Sequence, residues 1–287
     1  MSRLSAHGSS KSNGRIREIH RCRECGWQTA KWVGRCGECQ SWGTITDTAA
    51  PVGREVRPGP VTVPAVPITE VTGSEAAAES TGLGELDRVL GGGLVAGSVI
   101  LLSGEPGVGK STLLLDLASR MANRSPVLYV TGEESAAQVR LRAERIGALQ
   151  SNLLLTAESN LATVLGHIEQ AQPALVIVDS VQTISTPTVE GVVGGVSQIR
   201  EVATALIAIA KRSSAAMILV GHVTKDGGVA GPRTLEHLVD VVLSIEGDPQ
   251  TRLRLVRAAK NRYGPADEVG CFELSEAGIR ELVDPSE

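Results

Sequence analysis

One stretch of eight residues constrains the fold of this 287-residue chain more than any other feature. Residues 104–111 have the full pattern G-x-x-x-x-G-K-[ST], with an apolar run before it and a helical pattern after it. The glycines let successive backbone N–H groups turn inward around phosphate oxygens, at a helix N-terminus that favours anions. We therefore predict a P-loop that binds nucleotide phosphates, made of Gly104, Glu105, Pro106, Gly107, Val108, Gly109, Lys110, Ser111 and Thr112.

The polar residues of this loop have separate predicted roles. The Lys110 ammonium is expected to reach the β- and γ-phosphates, and the Ser111 hydroxyl to bind Mg²⁺. Further along the chain, residues 175–179 consist of four apolar residues followed by Asp179. Strands often end in aspartate, so this pattern is weak alone. Paired with a P-loop about 70 residues upstream, it predicts a Walker B carboxylate that holds the Mg²⁺ shell.

Two adjacent acids are candidates for activating the attacking water. Glu133 and Glu134 follow the apolar run 127–131, which we expect to lie beside the P-loop strand. Hydrolysis needs a base or a water-orienting group near the γ-phosphate. Alternatively, both acids cap the helix that begins near Ser135, where negative charge is favourable. We predict catalysis for Glu133, and a capping or supporting role for Glu134.

The main domain, predicted over residues 80–287, alternates between strand-like and helical segments. The strand-like runs are 98–103, 127–131, 174–179 and 216–221, and the helical patterns lie near 110–122, 135–146, 161–171 and 197–213. This alternation is typical of an α/β fold whose mostly parallel sheet has helices on both faces. After Gly231 three further runs predict antiparallel strands that close one edge of the sheet, at 239–246, 252–260 and 269–274.

Four of the five cysteines lie close together near the N-terminus, as two C-x-x-C pairs separated by ten residues. This spacing is suited to a tetrahedral zinc ion bound by four thiolates. We predict a zinc module over residues 21–44 with the ligands Cys22, Cys25, Cys36 and Cys39. A flexible tail, 1–20, precedes it, and a proline-rich linker, 45–79, follows it.

The three tryptophans of the chain lie in or beside this module. Trp27, Trp32 and Trp42 either stack on unpaired bases or pack, in the small core of the module or against the ATPase domain, and packing is the favoured interpretation. Lys31 and Arg35 on the intervening loop are candidates for contacts with phosphates or with a partner protein.

The charge distribution and the hydropathy restrict the partners. The net charge is −4, yet residues 1–45 hold eight Lys or Arg against three Asp or Glu. A basic end is compatible with a nucleic-acid partner and equally with a solvated tail. No apolar run approaches the roughly 20 residues of a membrane span, and the N-terminus lacks the apolar segment of a secretory signal. We expect a cytoplasmic protein with no membrane partner.

Several segments together carry the signature of one family. They are the P-loop, the four-cysteine module, residues 81–93, 129–135 and 178–183, and the segment Lys260-Asn261-Arg262-Tyr263-Gly264. Over about residues 20–284 the chain resembles the bacterial RadA family (also called Sms), whose K-N-R-F-G signature has phenylalanine where this chain has Tyr263. The family usually carries a further C-terminal domain resembling the Lon protease domain, which has no counterpart in a sequence that stops at Glu287.

The resemblance implies a RecA-type P-loop NTPase core preceded by a zinc-ribbon-like module, with ATP, Mg²⁺ and Zn²⁺ as cofactors. It implies a DNA-stimulated, helicase-like ATP hydrolase of homologous recombination and DNA repair. Such proteins form homo-hexameric rings, bind single-stranded or branched DNA, and promote branch migration with RecA or other recombination proteins. By the same resemblance Glu133 activates water and His222 senses the γ-phosphate. Lys260 and Arg262 would reach the ATP of a neighbouring subunit.

Two glycine-containing loops are the candidates for contacting DNA inside such a ring. They are residues 186–197 and residues 225–233, the latter with Lys225 and Arg233 as phosphate contacts. Glycine-rich loops beside a catalytic sheet suit elements that change shape with the nucleotide. Ordinary surface loops are the alternative reading.

Two other classes of protein share parts of this pattern. One is a nucleotide-driven regulatory ring of KaiC type without DNA motor activity, and the other is a small-molecule P-loop kinase. The zinc module and residues 260–264 favour the DNA-dependent motor over both. Stimulation of hydrolysis by DNA separates the motor from the other two classes.

Overall fold

The computed structural model describes residues 18–49, 64–70, 77–222, 234–247 and 251–282. The chain forms two compact units, Met1–Pro64 and Ala65–Glu287. Most of the predicted tail 1–20, part of the predicted linker 45–79 and all of the predicted loop 225–233 lie outside the described residues.

The first unit is built around a three-stranded antiparallel sheet. Its strands are β1 (Glu18–Cys22), β2 (Gln28–Thr29) and β3 (Ile45–Ala49), in the order β2-β1-β3. Cys22 pairs with Ile45, so the end of β1 lies against the start of β3. The strands extend past both ends of the predicted module, 21–44. Its apolar core is small, with Cys22, Cys36 and Ile45 as the buried members.

The second unit contains a nine-stranded sheet within its described residues. The strands are β6 (Val99–Gly104), β7 (Val127–Thr131), β8 (Leu153–Ala157), β9 (Leu175–Asp179), β10 (Ala216–His222), β11 (Val241–Glu246), β12 (Leu253–Asn261), β13 (Val269–Ser275) and β14 (Gly278–Glu281). A separate antiparallel pair consists of β4 (Ala78–Glu79) and β5 (Leu94–Val95). The helices are α1 (Gly84–Leu90), α2 (Lys110–Ala122), α3 (Ala136–Arg145), α4 (Leu161–Ala171) and α5 (Val196–Ser213).

The strand order is β14-β13-β12-β11-β6-β10-β9-β7-β8. Strands β11, β6, β10, β9, β7 and β8 run parallel, and β12 to β14 continue the sheet antiparallel. Apolar residues of α1, α2 and α3 pack on one face, and those of α4 and α5 pack on the other. The predicted α/β class, with helices on both faces and an antiparallel edge, is therefore confirmed.

The prediction that the run 127–131 lies beside the P-loop strand is wrong. β9 and β10 separate β7 from β6, although both come later in the chain. The reason is burial: all residues of β9, and all of β10 except its last, are buried, which favours neighbours on both sides. β8 has only half-buried and exposed residues and lies at the edge of the sheet.

Candidate nucleotide site and metal centre

The P-loop connects the end of β6 to the first turn of α2. Gly107 and Gly109 have φ of +79° and +111°, a region of backbone conformation that favours glycine. Lys110 is the first residue of α2, so the loop lies at the N-terminus of a 13-residue helix. The loop therefore presents both the flexible backbone and the positive helix end that a phosphate site needs.

The Lys110 side chain is buried beneath this loop. Its ammonium donates hydrogen bonds to the carbonyl oxygens of Gly104 and Glu105, at 2.8 and 2.9 Å. Burial lowers the pKa of Lys110, and the nearby carboxylates of Asp179 and Glu133 act in the opposite direction. The ammonium thus lies between the loop backbone and two acids, at the position predicted for binding the β- and γ-phosphates.

Ser111 and Asp179 are in direct contact, although 68 positions separate them in the chain. The Ser111 hydroxyl donates to Asp179 Oδ2 at 2.6 Å. A hydroxyl and a carboxylate are the hard oxygen ligands that Mg²⁺ prefers. The pair therefore fits the predicted cation. A third group, which the sequence analysis missed, reaches the same oxygen: the Tyr129 hydroxyl donates to Asp179 Oδ2 at 2.7 Å.

The predicted water-activating residue lies among groups from three strand ends. Glu133 follows β7, and its Oε1 accepts a hydrogen bond from the Ser180 hydroxyl, after β9, at 2.7 Å. The same oxygen lies 3.1 Å from Nε2 of His222, the last residue of β10. Glu133 and His222, both predicted from the sequence, are thus brought together. Ser180 was missed, although it follows Asp179 directly.

Of the two roles predicted for Glu134, capping of α3 is wrong. The cap of α3 is Ser135, whose hydroxyl accepts from the Gln138 N–H while the Gln138 side chain accepts from the Ser135 N–H. Glu134 forms an ion pair with Arg142, eight positions further along the chain. Serine is a strong capping residue by itself, so the carboxylate before it is available to pair with Arg142.

These residues surround a cleft of about 330 Å³ at the carboxyl ends of the parallel strands. Its lining consists of Pro106, Gly107, Gly109, Lys110, Ser111, Thr112, Thr131, Glu133, Glu134, Arg142, Asp179, His222 and Leu274. Ligands in open α/β sheets bind at this end of the strands. The cleft combines a glycine-containing loop at a helix N-terminus, the Lys110 ammonium, a hydroxyl–carboxylate pair suited to Mg²⁺ and a carboxylate oriented by two neighbours.

Lys260 and Arg262 lie at the other end of the sheet. Asn261, between the two basic residues, pairs with Val241 of β11, and Val241 pairs with Ile100 of β6. Ile100 lies four residues before Gly104, where the P-loop begins. At a rise of about 3.3 Å per residue, the separation along the strand is about 13 Å. The structure does not bring these two residues to the P-loop of the same chain.

The two basic residues are held by acceptors at that end. The Lys260 ammonium donates to the carbonyl oxygens of Glu236 and Val239, at 2.9 and 2.7 Å. Arg262 Nη1 donates to Asp240 Oδ1 at 3.0 Å. Lys211 donates to the second oxygen of Asp240 at 2.7 Å. Asp240, a lone acid before an apolar run, was missed in the sequence analysis.

The four predicted zinc ligands converge in the first unit. Their Sγ atoms all lie within 4.8 Å of one another. Two of the distances are 3.6 Å, from Cys22 to Cys39, and 3.4 Å, from Cys25 to Cys36. Thiolates around tetrahedral zinc are about 3.8 Å apart for a bond length of about 2.3 Å. The thiolate set fits a zinc ion.

The surroundings of the thiols differ. Burial raises the pKa of the Cys22 thiol, but hydrogen bonds from Thr44 and from backbone N–H groups outweigh it and lower the pKa to about 7. Burial raises the pKa of Cys25 and of Cys36. Because zinc binds thiolates, its binding at this site would release the protons of the thiols.

The three tryptophans differ in burial. Trp27 packs against the small core, with its ring 2.9 Å from the position of a Cβ on Gly37. Trp32 and Trp42 are 64% and 74% exposed, so these two do not fill the core of the module. The Arg35 guanidinium lies 5.8 Å from the Trp42 ring centroid and donates to the Gln40 side chain at 2.6 Å.

One of the two predicted DNA loops is described. Gln198 anchors the start of residues 186–197, because its amide donates to the carbonyl oxygens of Thr186 and Val189, at 3.0 and 2.7 Å. Val192 and Val193 in the middle of the loop are exposed. The second loop, with Lys225 and Arg233, lies outside the described residues.

Comparison with known families agrees with this geometry. Residues 67–228, more than half of the chain, match the AAA domain family, and residues 20–47 match a rubredoxin metal binding domain. The chain belongs to the AAA domain family of P-loop NTPases, with a four-cysteine metal-binding module at its N-terminal end.

Curated relatives share most of the chain. It is 55% identical to DNA repair protein RadA of Mycolicibacterium smegmatis over 96% of this chain and 61% of that protein. It is 57% identical to DNA repair protein RadA of Mycobacterium tuberculosis over 94% of this chain and 58% of that protein. For the protein of the same name in Pseudomonas aeruginosa the identity is 46%, over 95% and 61%. The resemblance to the RadA family is confirmed, and the chain spans about three fifths of these relatives.

Among the described residues, none of the helices combines the length and the apolar composition that a membrane-spanning helix needs.

Proposed function

We propose that this chain binds ATP with Mg²⁺ and hydrolyses it as the DNA-stimulated motor of a recombination and repair protein. The observation that carries the proposal is the meeting of separate strand ends in one cleft. Lys110 follows β6, Glu133 follows β7 and Asp179 ends β9. A cation, a metal-binding carboxylate and a general base within one cleft are the set that phosphoryl transfer to water requires.

Each residue has a role that suits its surroundings. The P-loop N–H groups and Lys110 bind the phosphates, while Ser111 and Asp179 hold Mg²⁺. Bound Mg²⁺ supplies charge neutralisation on the phosphate oxygens. Glu133 orients the attacking water and takes its proton. The contacts of Glu133 with Ser180 and His222 keep its carboxylate over the cleft.

The position of Lys260 and Arg262 supports a shared site between copies of the chain. Along the strands Lys260 lies about 10 Å from the P-loop and Arg262 lies further away. Both side chains are bound to acceptors at that end of the sheet and do not reach the nucleotide site of their own chain. In a closed ring, a residue at one end of a subunit can reach the nucleotide of the next. We therefore assign both residues to the ATP of a neighbouring subunit in a homo-hexameric ring.

The names of the relatives support DNA as the partner. Proteins called DNA repair protein RadA share 46% to 57% identity with this chain. On this basis the chain binds single-stranded or branched DNA through residues 186–197 and 225–233, in the cytoplasm. It promotes branch migration with RecA or another recombination protein. The alternative of a KaiC-type regulatory ring is not favoured, because those relatives are named for DNA repair.

The first test measures ATP hydrolysis with and without single-stranded DNA, for the parent and for Lys110→Ala. We expect hydrolysis that DNA stimulates and that is lost in the variant. Stimulation should weaken from low to physiological salt, because phosphate contacts release counterions. Arg212→Ala is the matched control, since it removes an exposed cation paired with Glu169 and should leave hydrolysis unchanged. Hydrolysis indifferent to DNA would argue for the regulatory ring, and a chain that does not bind ATP would refute the proposal.

A mixing experiment tests the shared site. Lys110→Ala and Arg262→Ala should each be inactive alone. In mixed rings some interfaces combine an intact Lys110 with an intact Arg262, so activity should return above the sum of the separate variants. Mixed samples that stay at that sum would show that Arg262 does not act between subunits.

A further inference from the structure

Tyr129 is an unusual residue for its position. It lies in the middle of β7, whose other residues are Val127, Leu128, Val130 and Thr131, and it is buried. The chain has only two tyrosines and one phenylalanine. A phenylalanine would fill the same space without a hydroxyl that needs a buried partner. The hydrogen bond made by the hydroxyl therefore distinguishes tyrosine from phenylalanine at this position.

That hydrogen bond is directed by the sheet. Tyr129 pairs with Ile177, and Thr131 pairs with Asp179, across the parallel strands β7 and β9. Tyr129 and Asp179 are thus diagonal neighbours on one face, within reach of an aromatic side chain. The hydroxyl donates to Asp179 Oδ2 at 2.7 Å. Because both residues lie on buried central strands, the contact is set by the rigid part of the fold and not by a loop.

The Asp179 carboxylate has a second hydrogen-bond donor, Ser111, which is also a predicted ligand of the cation. Ser111 also donates to Asp179 Oδ2, at 2.6 Å. Under the proposed function the Ser111 oxygen binds the cation as well, and its hydroxyl is then no longer a dedicated donor to Asp179. The terminal torsion of an aspartate is soft, so one fixed donor on Oδ2 decides how the carboxylate faces the cation.

We propose that Tyr129 is a positioning residue that orients the Asp179 carboxylate toward the divalent cation of the nucleotide site. The inference rests on the proposed function, since it takes Asp179 and Ser111 as the cation-binding pair. It adds a residue from a neighbouring strand that touches neither the nucleotide nor the cation.

The test is Tyr129→Phe in the full chain, read out as the Mg²⁺ dependence of binding of a fluorescent ATP analogue. We expect the half-saturating Mg²⁺ concentration to rise about ten-fold, equivalent to a hydrogen bond of about 1.4 kcal/mol. Binding of the analogue in magnesium-free buffer should be unchanged, because the P-loop is intact. An unchanged Mg²⁺ dependence would overturn the proposal.

Two further variants separate positioning from stability. Val130→Ala removes buried volume on the other face of β7; it should lower the melting temperature without moving the Mg²⁺ dependence. The double variant Asp179→Asn/Tyr129→Phe should have the same Mg²⁺ dependence as Asp179→Asn alone, because the tyrosine acts through the carboxylate. A further weakening of the Mg²⁺ dependence in the double variant would overturn the proposal. If the parent itself does not bind the analogue more tightly with Mg²⁺, the proposed function fails, and that outcome is distinct from the failure of Tyr129 alone.

Discussion

Replacing Asp240 by asparagine tests how the far end of the sheet is held together. The Asp240 side chain is 6% exposed and accepts from three groups: the Val99 N–H at 3.0 Å, the Lys211 ammonium at 2.7 Å and Arg262 at 3.0 Å. Asparagine keeps the shape and one acceptor, so Asp240→Asn removes the charge without opening a cavity. An amide nitrogen would then face cationic donors.

The expected magnitude follows from the exposure of the partners. Lys211 and Arg262 are 48% and 57% exposed, so both can return to water and each lost pair costs no more than about 1 kcal/mol. The buried bond from Val99 loses its charge assistance, which costs about 1 kcal/mol more. We expect the free energy of unfolding to fall by about 1–3 kcal/mol at neutral pH.

The pH dependence gives a second check with a defined sign. Burial raises the pKa of Asp240, but the hydrogen bonds from Lys211 and Val99 and the charges of Lys211 and Arg262 outweigh it and leave the pKa below its ordinary value of 3.8. A lowered pKa stabilises the fold above the ordinary value, and the effect is lost as the pH falls through the folded pKa. The difference between parent and variant should persist from about pH 5 to 8 and shrink below about pH 4.

Urea unfolding followed by far-UV circular dichroism is the suitable assay. All three tryptophans lie within residues 27–42, so tryptophan fluorescence does not report on the ATPase unit. Asp116→Asn is the matched control, because its ion pair with Arg120 links neighbouring turns of one helix and contributes about 0.3–0.5 kcal/mol. A difference below about 0.5 kcal/mol for Asp240→Asn, or one that does not shrink as the pH falls below about 4, would refute the reasoning.

Three other substitutions have expected outcomes. Cys36→Ser should abolish stoichiometric zinc, measured by atomic absorption, and shift the Trp27 emission to longer wavelength, because three thiolates leave the module unfolded; retained zinc would contradict this. Phe272→Ala should cost about 3–5 kcal/mol in urea unfolding, since the ring is fully buried; a loss under 1 kcal/mol would show that the site collapses. Gly93→Ala should lower the melting temperature, because φ is +132° and the new Cβ would lie 2.1 Å from the Glu79 carbonyl oxygen; an unchanged transition would argue against that close approach.

Local sequence patterns were enough to predict the bounds of two helices and the set of zinc ligands. The bounds of α2 and α4 agree with the predicted 110–122 and 161–171, because a P-loop begins one helix and the Asn160 side chain caps the other by accepting from two N–H groups. The zinc ligands were predicted from spacing, and their sulfurs converge. In each case the residues that set the structure lie within one short segment of the chain, so the sequence alone contains the whole signal.

Some local elements were nevertheless missed. The strand β8 (Leu153–Ala157) has no fully buried residue, unlike the predicted strands β7 and β9 of the same length. The seven-residue helix α1 and the four-residue strand β14 contain too few residues for a hydrophobic period to be recognised.

The tertiary structure alone decided which distant residues meet. Insertion of β9 and β10 between β6 and β7 puts Glu133 beside Ser180 and His222. The hydroxyl of Tyr129 reaches Asp179 across 50 positions, and the Asp240 carboxylate binds the Val99 N–H across 141. Strand order results from the burial of whole strands and the packing of helices on both faces, which no short window of sequence encodes. For that reason the motifs of the chain predict the chemistry of the site, whereas only the folded sheet shows which residues orient the Glu133 and Asp179 carboxylates.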